Sequence, residues 1–134
     1  MTGSVIKISE AASLGLHAMI ILAQNPKKLV SVKEISDLLE VSANHLSKVM
    51  QRLTKIGFIN SVKGYNGGFK LIKAPEKITF LEIYELFDGK LPTSSCLLTT
   101  HKCKGNCILG DLVTSVNKQV KEKFEKTKLS DFVK

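Results

Sequence analysis

Residues 31–73 read SVKEISDLLEVSANHLSKVMQRLTKIGFINSVKGYNGGFKLIK, and the order of their apolar, polar and glycine residues decides the fold. Ser31, with Glu34 three positions later, has the capping-box pattern that begins a helix. Ser42 is placed to cap a second helix, predicted over residues 43–56, and Gly57 is placed to end it. The stretch therefore predicts a short helix, a tight turn and a longer helix in succession.

A glycine-rich hairpin is predicted directly after the second helix. Two short strands, near 58–62 and 69–73, flank a loop that contains Asn66, Gly67 and Gly68. These loop residues adopt positive φ at little cost, so the pattern is a strong hairpin signal. Two helices joined by a tight turn, with a hairpin after the second, are typical of a winged helix-turn-helix.

The remaining helices are predicted from apolar residues spaced by three and four. They cover residues 9–24, 79–88 and 108–126, with one further turn near the end of the chain. In the short helix that begins after Ser31, we expect Ile35, Leu38 and Leu39 to face the core. The fold class is therefore mainly α with a small β-hairpin wing.

Charge is distributed unevenly along the 134 residues, whose net charge is +8. Residues 1–73 hold ten Lys and Arg against four Asp and Glu, and residues 74–134 hold ten against eight. The basic excess coincides with the predicted helix-turn-helix, as expected of a surface that attracts phosphate. The chain shows no apolar run long enough to span a membrane and no export signal, which predicts a cytoplasmic protein without a membrane partner.

The second helix of a helix-turn-helix packs one face into the core and presents the other to the major groove of DNA. Asn is suited to pair with adenine, and lysine favours guanine or phosphate. A surface helix and hairpin without a ligand are the simpler alternative. No catalytic arrangement is visible, so we do not expect an enzyme. Arg52, further along the helix, is expected to meet phosphate. The predicted DNA contacts are Ser42, Asn44, His45, Lys48 and Arg52 on the helix, with Lys63 and Tyr65 on the wing.

Three cysteines, Cys96, Cys103 and Cys107, lie within twelve residues. An odd number in a chain without an export signal argues against a disulfide framework. Thiolates suit iron–sulfur clusters, zinc and redox switching. Zinc bound with His101, oxidation of two thiols without metal, and inert cysteines are the alternatives to a cluster.

Residues 41–69, VSANHLSKVMQRLTKIGFINSVKGYNGGF, resemble the IscR/NsrR/CymR group of bacterial winged-helix regulators, the Rrf-type family. The resemblance extends from about Ile6 to the end of the last long helix, and its most specific part is the hairpin from Gly64 to Phe69. The family usually has Arg where this chain has Lys63. Lysine keeps the charge but loses the planar fork.

The resemblance implies a homodimer that recognises a partly palindromic operator, with repression as the commoner mode. Helix 108–126 matches the family's dimerisation helix, which would set two recognition helices about one DNA turn, roughly 34 Å, apart. We therefore predict two parts: residues 1–75 form the winged helix-turn-helix domain, and residues 76–134 hold the cysteine loop and the dimerisation helix.

The resemblance also implies a [2Fe-2S] or [4Fe-4S] cluster on the three cysteines, although only three residues separate Cys103 from Cys107 where relatives usually have five or more. A cluster normally takes four ligands. Some relatives use an acid of the partner subunit, at the position of Ser13 here. The candidate fourth ligands in this chain are Glu10, His101 and Asp111.

These features predict a transcription regulator whose operator affinity depends on a cluster responding to redox state, nitric oxide, oxygen or iron–sulfur status. A zinc-binding or metal-free thiol regulator of the same fold is one alternative. A small metal-binding module that binds another protein is the other.

Overall fold

A computed structural model describes residues 7–91, 108–109 and 111–133. The chain is mainly helical, with one two-stranded antiparallel hairpin among the described residues. This confirms the predicted fold class. The helices are α1 (Glu10–Gln24), α2 (Val32–Leu39), α3 (Ala43–Ile56), α4 (Phe80–Asp88) and α5 (Leu112–Lys126), the strands are β1 (Ile59–Val62) and β2 (Gly68–Leu71), and 3-10 turns cover Pro75–Lys77 and Leu129–Phe132.

The helix starts predicted from serine residues are confirmed. The hydroxyl of Ser31 accepts from the backbone N–H of Glu34, and the Glu34 carboxylate accepts from the backbone N–H of Ser31. The Ser42 hydroxyl accepts from the N–H of His45, and α3 ends at Gly57 with φ of 90°. Each cap satisfies backbone groups that a helix end leaves without an intrahelical partner.

The core lies where α1, α2, α3 and the hairpin meet. Its largest fully buried side chains include Met19, Leu22, Ile35, Leu46, Met50 and Leu53. The prediction that Leu38 faces the core is wrong, because Leu38 is 68% exposed and Ser36 is buried in its place. At 100° per residue, Ile35, Ser36 and Leu39 share one face of α2, and Leu38 lies outside it.

The wing is tied to the helix-turn-helix by a third backbone segment. Val30, two residues before α2, exchanges two hydrogen bonds with Phe69 of β2, at 3.0 and 2.8 Å. This pairing brings the two chains so close that a Cβ on Gly68 would lie 2.8 Å from the carbonyl carbon of Val30. Gly68 is therefore required by close backbone approach, and the wing cannot swing freely away from α2.

The C-terminal part packs onto the same core. The N–H of Phe80 donates to Thr127 and the N–H of Leu129 donates to Ile78, and both Ile78 and Leu129 are fully buried. Residues beyond the predicted boundary at 75/76 therefore share the core with α1–α3, and the division into two parts stays a prediction. No described helix is both long and apolar enough to cross a membrane.

Helix α5 begins at Leu112, four residues later than predicted. Ile108 and Leu109 form a turn before it, and Asp111 is the residue at its N-cap, with φ of −96° and ψ of 13°. Asp has a lower helix propensity than leucine, and the Asp111 side chain makes no capping hydrogen bond here. The apolar residues keep their helical spacing before and after Asp111, so the spacing alone did not locate the first residue of α5.

Candidate DNA-recognition surface

The N-terminal half of α3 presents polar side chains to solvent. Its opposite face is buried through Leu46, Val49 and Met50. Asn44 and Lys48 are exposed and lie one helical turn apart, so their side chains share one face. This division between a buried and a polar face is what a recognition helix requires.

His45 lies beside the first helix rather than pointing freely outward. Its Nδ1 is 3.5 Å from a carboxylate oxygen of Glu10, and both side chains are partly exposed. The structure thus brings together one predicted DNA contact and one predicted cluster ligand. This contact places a negative charge next to the start of the recognition helix.

Arg52, predicted to meet phosphate, is engaged with α4. Its guanidinium donates to the carbonyl of Leu86 at 2.5 Å and lies over the Phe87 ring, 5.0 Å from the centroid. The side chain remains exposed on its outer side. Of the predicted contacts on α3, it is the one held against α4.

A groove runs between α3 and the wing. Lys55 of α3 and Lys63 of the wing both line it, so positive charge comes from both walls. Tyr65, at the tip of the wing, is fully exposed. The small polar residues of this groove were not among the predicted DNA contacts. The hairpin register, which places Ser61 opposite Phe69, is the signal that could have indicated Ser61. The lining comprises Ser47, Gln51, Thr54, Lys55, Ser61, Lys63 and Phe69.

The lysines of this surface are unpaired within the described part of the chain. Among the described residues, the lysines that form ion pairs are Lys28, Lys73 and Lys121. Lys48, Lys55 and Lys63 form none with any residue that the structure describes. Uncompensated positive charge on one face is the electrostatic footprint of a phosphate-binding surface.

The predicted metal ligands fall largely outside the described residues. Cys96, Cys103, Cys107 and His101 all lie there. Among the residues that are described, no group of three or more His, Cys, Asp and Glu side chains is placed to hold a metal ion. Asp111 is exposed, and its side chain does not cap α5. Glu10, the first residue of α1, is also exposed. Both candidate carboxylates are therefore accessible.

Comparison with known proteins places these features in one family. The family model described as Rrf2, iron-dependent transcriptional regulator, matches residues 8–134. A helix-turn-helix-type regulator of Aquifex aeolicus is 36% identical over 129 residues, which cover 93% of this chain and 90% of the relative. The regulator NsrR of Halalkalibacterium halodurans is 34% identical over 121 residues, covering 82% and 81%.

The fold agrees with the solved structure of CymR, the global cysteine regulator of Bacillus subtilis. The TM-score is 0.80 at 26% identity, and the match covers 95% of each chain. The relatives are transcriptional regulators, so this protein is a regulator and not an enzyme. With its helix-turn-helix, its wing and a family match over nearly its full length, the chain belongs to the Rrf2 family of transcriptional regulators.

Proposed function

We propose that the protein is a cytoplasmic, homodimeric repressor whose affinity for a partly palindromic operator is controlled by an iron–sulfur cluster. The observation that carries the DNA part is the recognition helix with its unpaired lysines beside a basic wing. The observation that carries the sensing part is the donor set of three cysteines within twelve residues.

Direct contact with bases falls to the first turns of α3. Asn44 meets a base edge in the major groove, Lys48 on the same face of the helix meets a neighbouring phosphate, and Ser42 and His45 flank them. The groove between α3 and the wing takes one strand of the sugar-phosphate backbone between Lys55 and Lys63. Tyr65, exposed at the wing tip, reaches the neighbouring groove of the duplex.

Dimerisation falls to α5. None of its residues is buried within the single chain, although apolar residues recur along it at helical spacing. Leu112 is 52% exposed, and Val113, Val116 and Val120 are half-buried. A second copy of α5 would cover this stripe, as expected of apolar positions that repeat every three to four residues.

The residues present fit an iron–sulfur cluster. Three thiolates are the ligands such clusters prefer, and Cys96, Cys103 and Cys107 supply them. Glu10 and Asp111, both exposed, or His101 would complete the set. When bound, the cluster supplies an iron centre that reacts with oxidants and nitric oxide. The family model's own description, an iron-dependent regulator, supports this assignment.

The protein's own part is to connect the cysteine segment with the DNA surface. The segment begins after Leu91, three residues beyond the end of α4, and the Leu91 N–H donates to the Glu85 carboxylate at 3.1 Å. It ends before Ile108, ahead of α5. Helices α4 and α5 contact each other. A change in the segment therefore acts on the helix that contacts α3 and on the dimerisation helix together.

A metal-free thiol regulator is the second candidate, favoured by the likeness to CymR of Staphylococcus aureus, which has been solved in an oxidized form. Anaerobic purification separates the two, with iron, acid-labile sulfide, zinc and visible absorbance measured on one sample. Stoichiometric iron and sulfide support the cluster, and their loss in Cys103→Ser identifies the ligand. Colourless protein that resists reconstitution would exclude the cluster, and zinc or a thiol switch would then replace it.

A further inference from the structure

The last turn of α4 is a meeting point of three helices. The Phe87 ring packs against α1 at Gly15, where an added Cβ would overlap the ring. The Arg52 guanidinium of α3 lies over the same ring, 5.0 Å from the centroid. Phe87 therefore contacts both the first helix and the recognition helix.

The hydrogen bond from Arg52 has a partner suited to it. Leu86 belongs to the last turn of α4, where backbone carbonyls have no partner within the helix. These carbonyls carry the negative end of the helix dipole, so a cation is favoured there. Arg52 donates to the Leu86 carbonyl at 2.5 Å while its plane lies over Phe87, a combination that lysine cannot reproduce.

The same turn holds α1 through Asp88. One carboxylate oxygen accepts from the backbone N–H of Ser9 at 2.9 Å, and the other accepts from the Ser9 hydroxyl. Ser9 is the N-cap of α1. Three consecutive residues, Leu86, Phe87 and Asp88, therefore fix the end of α4 to both α1 and α3.

We infer that Arg52 is a positioning residue that sets the placement of the recognition helix on α4, and that it strengthens operator binding through this placement without contacting phosphate. The inference rests on DNA binding by α3, as proposed above. It replaces the phosphate contact expected from the sequence. It also makes operator affinity sensitive to any movement of the end of α4.

The test compares variants on one duplex that wild-type protein has selected from a random-sequence library. Arg52→Lys keeps the charge, Arg52→Gln removes it, and Phe87→Leu removes the ring without altering any charge. Lys48→Gln is the control for a phosphate contact. Binding is measured by fluorescence anisotropy over a series of salt concentrations, and folding is checked by circular dichroism.

We expect Arg52→Lys and Phe87→Leu each to weaken binding roughly five- to tenfold, within the usual range for coupled sites. Neither substitution should change the slope of log affinity against log salt. The double variant Arg52→Lys, Phe87→Leu should bind the duplex no more weakly than either single variant. Lys48→Gln should reduce that slope by about 0.9. If Arg52→Gln fails to fold, Phe87→Leu still carries the test.

The inference would be overturned if Arg52→Lys bound like wild type while Arg52→Gln lost about 0.9 of the salt slope, because Arg52 would then be a phosphate contact. Additive losses in the double variant would also overturn it. A wild-type protein with no salt-dependent affinity for any duplex would refute the proposed DNA role itself, which is a different result.

Discussion

The carboxylate of Glu10 lies 3.5 Å from Nδ1 of His45, so the first turn of α1 faces the first turn of the recognition helix. Glu10 is a candidate cluster ligand, and His45 is a candidate DNA contact. A negative charge at this place repels approaching phosphates. The charge of Glu10 therefore lowers the affinity of this surface for DNA.

Replacing Glu10 with glutamine should tighten binding to duplex DNA at low salt by about two- to fivefold, the scale of exposed charge interactions. The gain should diminish as salt screens the charge. Anisotropy titration at two ionic strengths measures it. Glu125→Gln in α5 removes an equal charge from an exposed pair with Lys121. Equal gains in both variants would mean that only net charge matters.

Asn44 and Lys48 should fail in different ways when substituted. Asn44→Ala should lose discrimination between the selected duplex and a scrambled one, by about 1–3 kcal/mol, because Asn pairs with a base edge. Lys48→Gln should lower the salt slope by about 0.9 if the lysine neutralises one phosphate. Both should retain wild-type iron and sulfide. Unchanged discrimination in Asn44→Ala would remove it from the base-reading set.

Gly15→Ala should destabilise the protein, although alanine is the better helix former by about 1 kcal/mol. The added Cβ would overlap the Phe87 ring, and overpacking of this kind costs about 1–3 kcal/mol. Urea unfolding measures the loss. The double variant with Phe87→Leu should recover part of it, since the smaller side chain frees space. A stabilised Gly15→Ala would show that the ring moves aside freely.

Loss of the capping box of α2 should lower the free energy of unfolding. Ser31→Ala removes the acceptor for the Glu34 N–H and should cost about 1 kcal/mol. Thermal and urea unfolding both report it. Ser31→Asp, which keeps an acceptor at the N-cap, should remain close to wild type. Equal losses in the two variants would attribute the effect to something other than the cap.

Glu34 should contribute a pH-dependent part to stability. A hydrogen bond from Lys28, followed by one from the Ser31 backbone, holds the pKa of Glu34 below its ordinary value of 4.5. Its contribution is therefore present above pH 4.5 and lost as pH falls through the lower folded value. The stability difference between wild type and Glu34→Gln should shrink in that window. A difference that stays constant on acidification would contradict this.

Local signals predicted most of the helical architecture. Ser31 with Glu34 located the start of α2, Gly57 located the end of α3, and the Asn66-Gly67 pair located the hairpin. Each of these signals acts within a few residues of the backbone group that it satisfies. Such signals can be read from one sequence because the physics that they express is local.

The features that escaped prediction depend on residues far apart in the chain. Val30 pairs with Phe69, and Arg52 reaches Leu86, and neither contact leaves a periodic pattern. The exposure of Leu38 depends on which face of α2 the core covers. The DNA contacts were identifiable as polar residues on a helix face, but whether each one meets DNA or another helix is decided by tertiary packing.

Control of DNA binding by the cluster is tested by the affinity of the anaerobically purified protein for the selected duplex, measured before and after a chelator removes the cluster. We expect this affinity to change at least about fivefold, the lower end of usual allosteric coupling, and to stay unchanged when the chelator is added to Cys103→Ser. Iron and sulfide measured on the same samples establish loading. Equal affinities for the loaded and stripped wild-type protein would contradict control of DNA binding by a cluster.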